Sequence, residues 1–222
     1  MTLGDYLPFW NKLTEKQREK LSSNSKKLRF EKGMLVHGES DECSGFLLVT
    51  EGQLRVFTIS DEGRELTLYR LFDRDICLFS GSCMVKNIQF DVTVEAEQDT
   101  AVFQIPADIY RDLMEESAVV SNFTNELMAS RFSDVMWLMD QVMNKKMDGR
   151  LAAFLLEECR LNDTMELSIT HEQIARHLGT AREVVTRLLR LFQGESLVKI
   201  TRGTVELLDE KGLEVLAAHS LR

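Results

Sequence analysis

Between Thr170 and Phe192 the sequence reads THEQIARHLGTAREVVTRLLRLF, and three residues inside it restrict the fold. Ala175 is small enough to let a second helix cross close by. Gly179 takes the positive-φ conformation of a tight turn at little cost. Val185, with Ile174, Leu178 and Leu188, supplies the apolar wedge between two helices. Thr170 with Gln173 and Thr180 with Glu183 each have the spacing of a capping box. Two short helices joined by a tight turn are predicted, which is a helix-turn-helix.

In that arrangement the second helix lies in a major groove with its first residues against base edges. Those residues are Arg182, Glu183 and Thr186, with Arg187 one turn on. Arginine donates two hydrogen bonds to guanine O6 and N7, and glutamate accepts from cytosine N4. Thr170, His171, Thr180, Lys199 and Arg202 are the candidate phosphate contacts, being hydroxyls and cations at helix starts or in a following hairpin. Charge agrees. The 222-residue chain has a net charge of −9, which by itself speaks against nucleic acid. Yet residues 168–204 hold six Lys/Arg and three Glu, a balance of +3, so the remainder carries −12.

The rest of the chain changes character at Pro106. From 28 to 105 short β-branched and aromatic runs alternate with turns, as in Phe46–Thr50, Gln53–Ile59 and Glu65–Tyr69, which predicts a jelly roll or β-roll. Thr14 and Gln17 cap a short helix before it, over Gln17–Leu21. From about Ser117 to Met147 there is neither glycine nor proline. Met128, Val135 and Val142 recur every seven residues, with Phe132 and Met139 offset by four. These five form a predicted dimer seam on a helix about 45 Å long. Methionine is frequent along it and suits a seam that repacks. Gly149 punctuates the chain. A hairpin follows the two helices over Leu197–Leu207, turning at Arg202–Gly203, and a last helix spans about Glu210–Ala218. The expected fold is therefore α+β. A β-roll sensor occupies 1–116, a dimerisation helix 117–147, and a winged helix-turn-helix 148–222.

With these segments in place the chain resembles the Crp–Fnr transcription regulators over nearly its whole length. Glu31-Lys-Gly33, His37-Gly-Glu39, Glu51-Gly52, Asp61-Glu-Gly63-Arg64-Glu65 and Asp75 look like the turns of that family's cyclic-nucleotide-type β-roll. Gly179-Thr-Ala-Arg-Glu183 with Arg187 looks like its recognition helix, where Arg, Glu and Arg read bases. Ala181 replaces the usual Ser or Thr, and Val184 replaces a common Thr. The resemblance implies a homodimer on a palindromic double-stranded operator, an effector held in the β-roll, and RNA polymerase as a partner if the protein activates.

The same resemblance argues against cyclic AMP. The phosphate cassette of nucleotide-binding members is replaced by Ile76-Cys-Leu-Phe-Ser-Gly-Ser-Cys83 and by Gln89-Phe-Asp-Val92. Phe90 stands at the phosphate-binding arginine, and Asp91 would repel a phosphate. An unknown small molecule is expected instead, in a pocket lined by Phe79, Ser80, Phe90 and Asp91 with Met128 and Phe132. Cys77 and Cys83 offer a redox alternative. No cysteine precedes Cys43, which leaves no N-terminal cluster for iron and sulfur. His37 reads as a surface or partly satisfied residue rather than a haem ligand. A three-histidine jelly-roll enzyme lacks its histidines, since His37 is alone before His171, so neither enzyme, metal nor cofactor is expected. The N-terminus lacks the pattern of a signal peptide, no run is apolar enough for a membrane helix, and four scattered cysteines fit a reducing compartment, so the expected location is the cytoplasm.

Overall fold

The computed structural model describes residues 2–37, 45–78, 92–218 and 220. They form two compact units. The first comprises Met1–Thr58 and Leu68–Val135, the second Ile59–Thr67 and Met136–Arg222.

In the first unit α1 (Glu15–Asn24) starts where the capping box places it. Thr14 Oγ1 accepts from Gln17 N at 3.3 Å and Gln17 Oε1 accepts from Thr14 N at 3.0 Å. Among the described residues eight strands follow: β1 (Lys26–Phe30), β2 (Leu35–His37), β3 (Phe46–Glu51), β4 (Leu54–Ile59), β5 (Glu65–Leu71), β6 (Ile76–Cys77), β7 (Thr93–Ala96) and β8 (Thr100–Ile105), of which the end of β4 and the start of β5 fall in the second unit. They order into two four-stranded sheets, β1-β8-β3-β6 and β2-β7-β4-β5. All three strand runs read from the sequence are present. β3 shows why its run is continuously apolar. Successive side chains point to opposite faces, and both faces are covered. Leu47 and Val49 join a cluster with Val56, Leu71 and Val94, whereas Phe46 and Leu48 join Leu7, Phe9, Tyr110 and Leu113. Pro106 then precedes α2 (Ala107–Glu116), and α3 runs over Ala118–Asn144.

The second unit holds α4 (Met147–Asn162), β9 (Glu166–Leu167), α5 (His171–Leu178), α6 (Arg182–Gly194), β10 (Val198–Thr201), β11 (Thr204–Leu207) and α7 (Glu210–Ala217). The sheet order is β10-β11-β9, and Thr201 pairs with Thr204, so Arg202 and Gly203 make the turn as expected. β9 is an additional strand, two residues long and too short to leave an alternation in the sequence. The helical run also divides differently. α3 ends at Asn144, and α4 begins after Lys146, which has extended dihedrals. Gly149 lies inside α4 rather than at a boundary. A Cβ there would stand 3.0 Å from the Leu216 carbonyl oxygen, so the glycine serves a close approach between α4 and α7.

Candidate nucleic-acid interface

α5 and α6 pack as the spacing requires. Ile174, Ala175, Val185, Leu189 and Phe192 are buried in one cluster with α4 and α7, and Leu188 packs against it half-buried. Burying a Val, Leu or Ile side chain contributes about 1.5–3 kcal/mol, so this cluster is what fixes the angle of α6. Thr170 caps α5, accepting from Gln173 N at 3.2 Å. Gly179 sits at φ 67°, and the N–H of Thr180 reaches the Ala175 carbonyl at 3.1 Å. The Thr180–Glu183 capping box does not form. The turn is one residue longer, α6 starts at Arg182, and its N-cap is Ala181, which has no side-chain oxygen to offer. Arg150, buried in α4, donates to the Leu178 carbonyl at 2.8 Å and so satisfies the end of α5, a role with no signal in the sequence. Burial lowers the pKa of this guanidinium.

The segment Ile59–Thr67 braces the other side of the same turn. Glu65 meets Arg176 through two oxygens at 2.9 Å each, Thr67 Oγ1 lies 2.9 Å from His177 Nδ1, and Leu66 bridges to Leu178. His177 also stacks on Phe154.

The four base-edge candidates come together. Arg182, Glu183, Thr186, Arg187 and also Arg190 line an open groove of about 450 Å³ on α6. The three arginines and Glu183 are exposed. Thr186 is less available, because its hydroxyl donates to the Arg182 carbonyl at 2.9 Å and lies 2.9 Å from His171 Nδ1. The phosphate candidates divide. Thr170, His171 and Arg202 line a second groove of about 460 Å³, with Arg182 and the β10–β11 turn. The Thr170 hydroxyl is occupied by Gln173, to which it donates at 2.9 Å. Lys199 is paired with Glu206 at 2.8 Å, which raises its pKa. Thr180 belongs to the turn and lines neither groove.

On the sensor side Phe79, Ser80, Cys83, Phe90 and Asp91 lie outside the described residues. Met128 packs half-buried with the cluster of Leu7, Phe9 and Tyr110, and Phe132 is 67% exposed. What α3 turns toward the strands instead is Arg131. Its guanidinium meets Asp75 and Asp134 at 3.1 Å each and lies 4.9 Å from the Tyr69 ring. Burial holds the Tyr69 phenol well above its ordinary pKa. Sequence reasoning missed this cluster. Its only trace is the Arg131/Asp134 pair three apart within an otherwise apolar stripe. Of the two alternatives for His37 the surface one is corrected: the residue is buried, and its Nδ1 has no hydrogen-bond partner among the described residues, which agrees with a partly satisfied ring. Cys77 is fully buried in β6.

Of the five seam residues, Phe132, Met139 and Val142 are exposed while Met128 and Val135 are half-buried. Met136 and Met143 are exposed as well, so the open apolar face of α3 follows 132, 136, 139 and 143. Among the described residues no helix is long and apolar enough to cross a membrane.

Residues 27–117 match the family model of the cyclic nucleotide-binding domain, and residues 149–216 match that of the Crp-like helix-turn-helix domain. A crystallised Eubacterium rectale protein assigned to the crp/fnr family of transcriptional regulators is 55% identical. The match covers 96% of this chain and 99% of that one, with a TM-score of 0.93. The cyclic AMP receptor protein of Thermus thermophilus is 24% identical over 95% of this chain and 96% of its own length. The transcriptional activator protein FnrA of Stutzerimonas stutzeri is 26% identical over 86% and 80%.

Proposed function

Because the chain belongs to the Crp–Fnr family of transcription regulators, we propose that α6 of each protomer of a homodimer reads one half of a palindromic operator. The observation that carries this is the exposed row Arg182, Glu183 and Arg187 along one groove, on a helix whose angle the buried cluster fixes. Arg182 and Arg187 are suited to guanine and Glu183 to cytosine. Arg202 and His171, in the second groove, are suited to the phosphates beside it. The open face of α3 is the dimer contact, and two copies of α6 then stand about 34 Å apart, one turn of DNA.

A small effector in the β-roll sets the equilibrium between binding-competent and incompetent arrangements. Phe90 and Asp91 speak for an effector other than cyclic AMP, because neither neutralises a phosphate. Where the protein activates, RNA polymerase is the partner.

The test is selection of duplexes from a random pool, followed by binding of the enriched site. Arg182→Ala is expected to cost about 1–3 kcal/mol on that site and to relax the preference at one base position. Arg202→Ala is expected to weaken selected and random duplexes alike and to reduce the salt slope by about 1 per protomer. Equal losses on both duplexes for Arg182→Ala would remove its base-reading role.

A further inference from the structure

His171 is the first residue of α5, and it faces two ways. Its Nδ1 lies 2.9 Å from Thr186 Oγ1, and that hydroxyl spends its one proton on the Arg182 carbonyl, also at 2.9 Å. The hydroxyl has one proton to give, so both contacts are hydrogen bonds together only when Nδ1 carries the hydrogen and donates, and the arrangement favours that tautomer. In the neutral ring this leaves the lone pair on Nε2. The histidine also lines the groove between Thr170, Arg182 and the Arg202–Gly203 turn. That groove is where the reading above places a phosphate.

We propose that His171 couples DNA binding to proton uptake. With a phosphate in the groove, Nε2 takes a proton from solvent and becomes a second donor, aimed at a phosphate oxygen. Nδ1 meanwhile keeps Thr186 and the first turn of α6 in place. The proposal rests on α6 being the recognition helix.

The charged surroundings give the sign. Arg182 and Arg190 on α6 and Arg202 in the wing are cationic, and among the described residues Glu172 on α5 is the one acid lining the groove; Lys199 on β10 is paired with Glu206. In the free protein, burial first and then Arg182 and Arg190 hold the His171 pKa below its ordinary value of 6.5. A phosphate anion opposes those cations and raises it. The complex therefore binds more protons than the free protein, and affinity rises as pH falls through the histidine range. Each pKa unit gained on binding is about tenfold in affinity per protomer.

The experiment measures binding of the full chain to a fluorescent random-sequence duplex of about 30 base pairs, because phosphate contacts are independent of sequence. From about pH 7.5 to about pH 6 the affinity of the wild type is expected to rise about tenfold or more. Titration calorimetry in buffers of different ionisation enthalpy is expected to show net proton uptake on binding. His171→Gln is expected to bind with that pH dependence and uptake lost. His171→Arg, whose charge is fixed, is expected to bind at least as tightly as the wild type at low pH, with no uptake. If His171→Gln keeps the wild-type profile, or the wild type takes up no proton, the coupling is overturned while the DNA-binding reading stands. If the wild type binds no duplex at any pH even at low salt, where phosphate contacts are strongest and neither the operator sequence nor the spacing of the two α6 helices is needed, the DNA-binding reading itself fails, and the coupling fails with it.

Discussion

Ala181 concentrates the residue-scale consequences. It occupies the N-cap of α6, where a side-chain oxygen would accept one of the helix's unsatisfied amides, and it has none. Ala181→Ser is therefore expected to stabilise the first turn of α6 by about 0.5–2 kcal/mol. Hydrogen exchange of the α6 amides reads this directly, and unchanged or faster exchange would refute it. Gly179 makes the opposite case two residues earlier. At φ 67° an L side chain is strained, and a Cβ would stand 2.9 Å from Leu66 Cδ1, the end of a flexible side chain that can yield. Gly179→Ala should then cost at least about 1–2 kcal/mol, the strain of the left-handed conformation, and more where Leu66, whose Cβ would stand 3.3 Å away, cannot give. A loss under about 0.3 kcal/mol in the same exchange measurement would mean that the turn relaxes out of that conformation.

Elements were legible in the sequence where the deciding interactions are local. The Thr170–Gln173 cap and the Arg202–Gly203 turn depend on residues within a few positions, the three early strand runs are marked off by the turn residues beside them, and each is present. Where distant residues decide, the reading shifted. Gly149 lies close against the Leu216 carbonyl, the end of α5 is satisfied by Arg150, and His37 is buried on β2. The heptad on α3 was legible as a period, but which residues stay open depends on what else α3 packs against. Met128 and Val135 turn partly inward, and the open face gains Met136 and Met143. Met139 lies on that face by either reading, half-exposed in the single chain at 49%. Met139→Glu should leave the helix content of the protomer unchanged, since the side chain has little to lose there. It should weaken the dimer by about tenfold or more, because two carboxylates would be desolvated against an apolar seam. Sedimentation across a concentration series distinguishes these outcomes, and a wild-type profile would move the dimer contact off this face.

For the whole molecule, the division of charge matters more than its sum. The helix-turn-helix and wing carry +3 against −12 elsewhere, yet not every local cation is free to meet DNA. Arg176 is engaged by Glu65 and Lys199 by Glu206. Arg182, Arg187, Arg190 and Arg202 have no ion pair among the described residues. A dimer thus offers about 8 such cations, and phosphate neutralisation lowers the logarithm of affinity by about 0.9 per contact for each tenfold rise in salt. The slope on random duplex DNA should therefore be no steeper than about −7 above the histidine range. It should grow steeper at low pH if His171 adds a further contact in each protomer. Sequence-independent binding should accordingly be weak at physiological salt, so that discrimination depends on Arg182, Glu183 and Arg187 acting in duplicate. Titrations at several salt concentrations give the slope. A value near −12 at about pH 8 would show that cations outside these two grooves meet the phosphates, and the DNA would then cover more of the molecule than α6 and the wing.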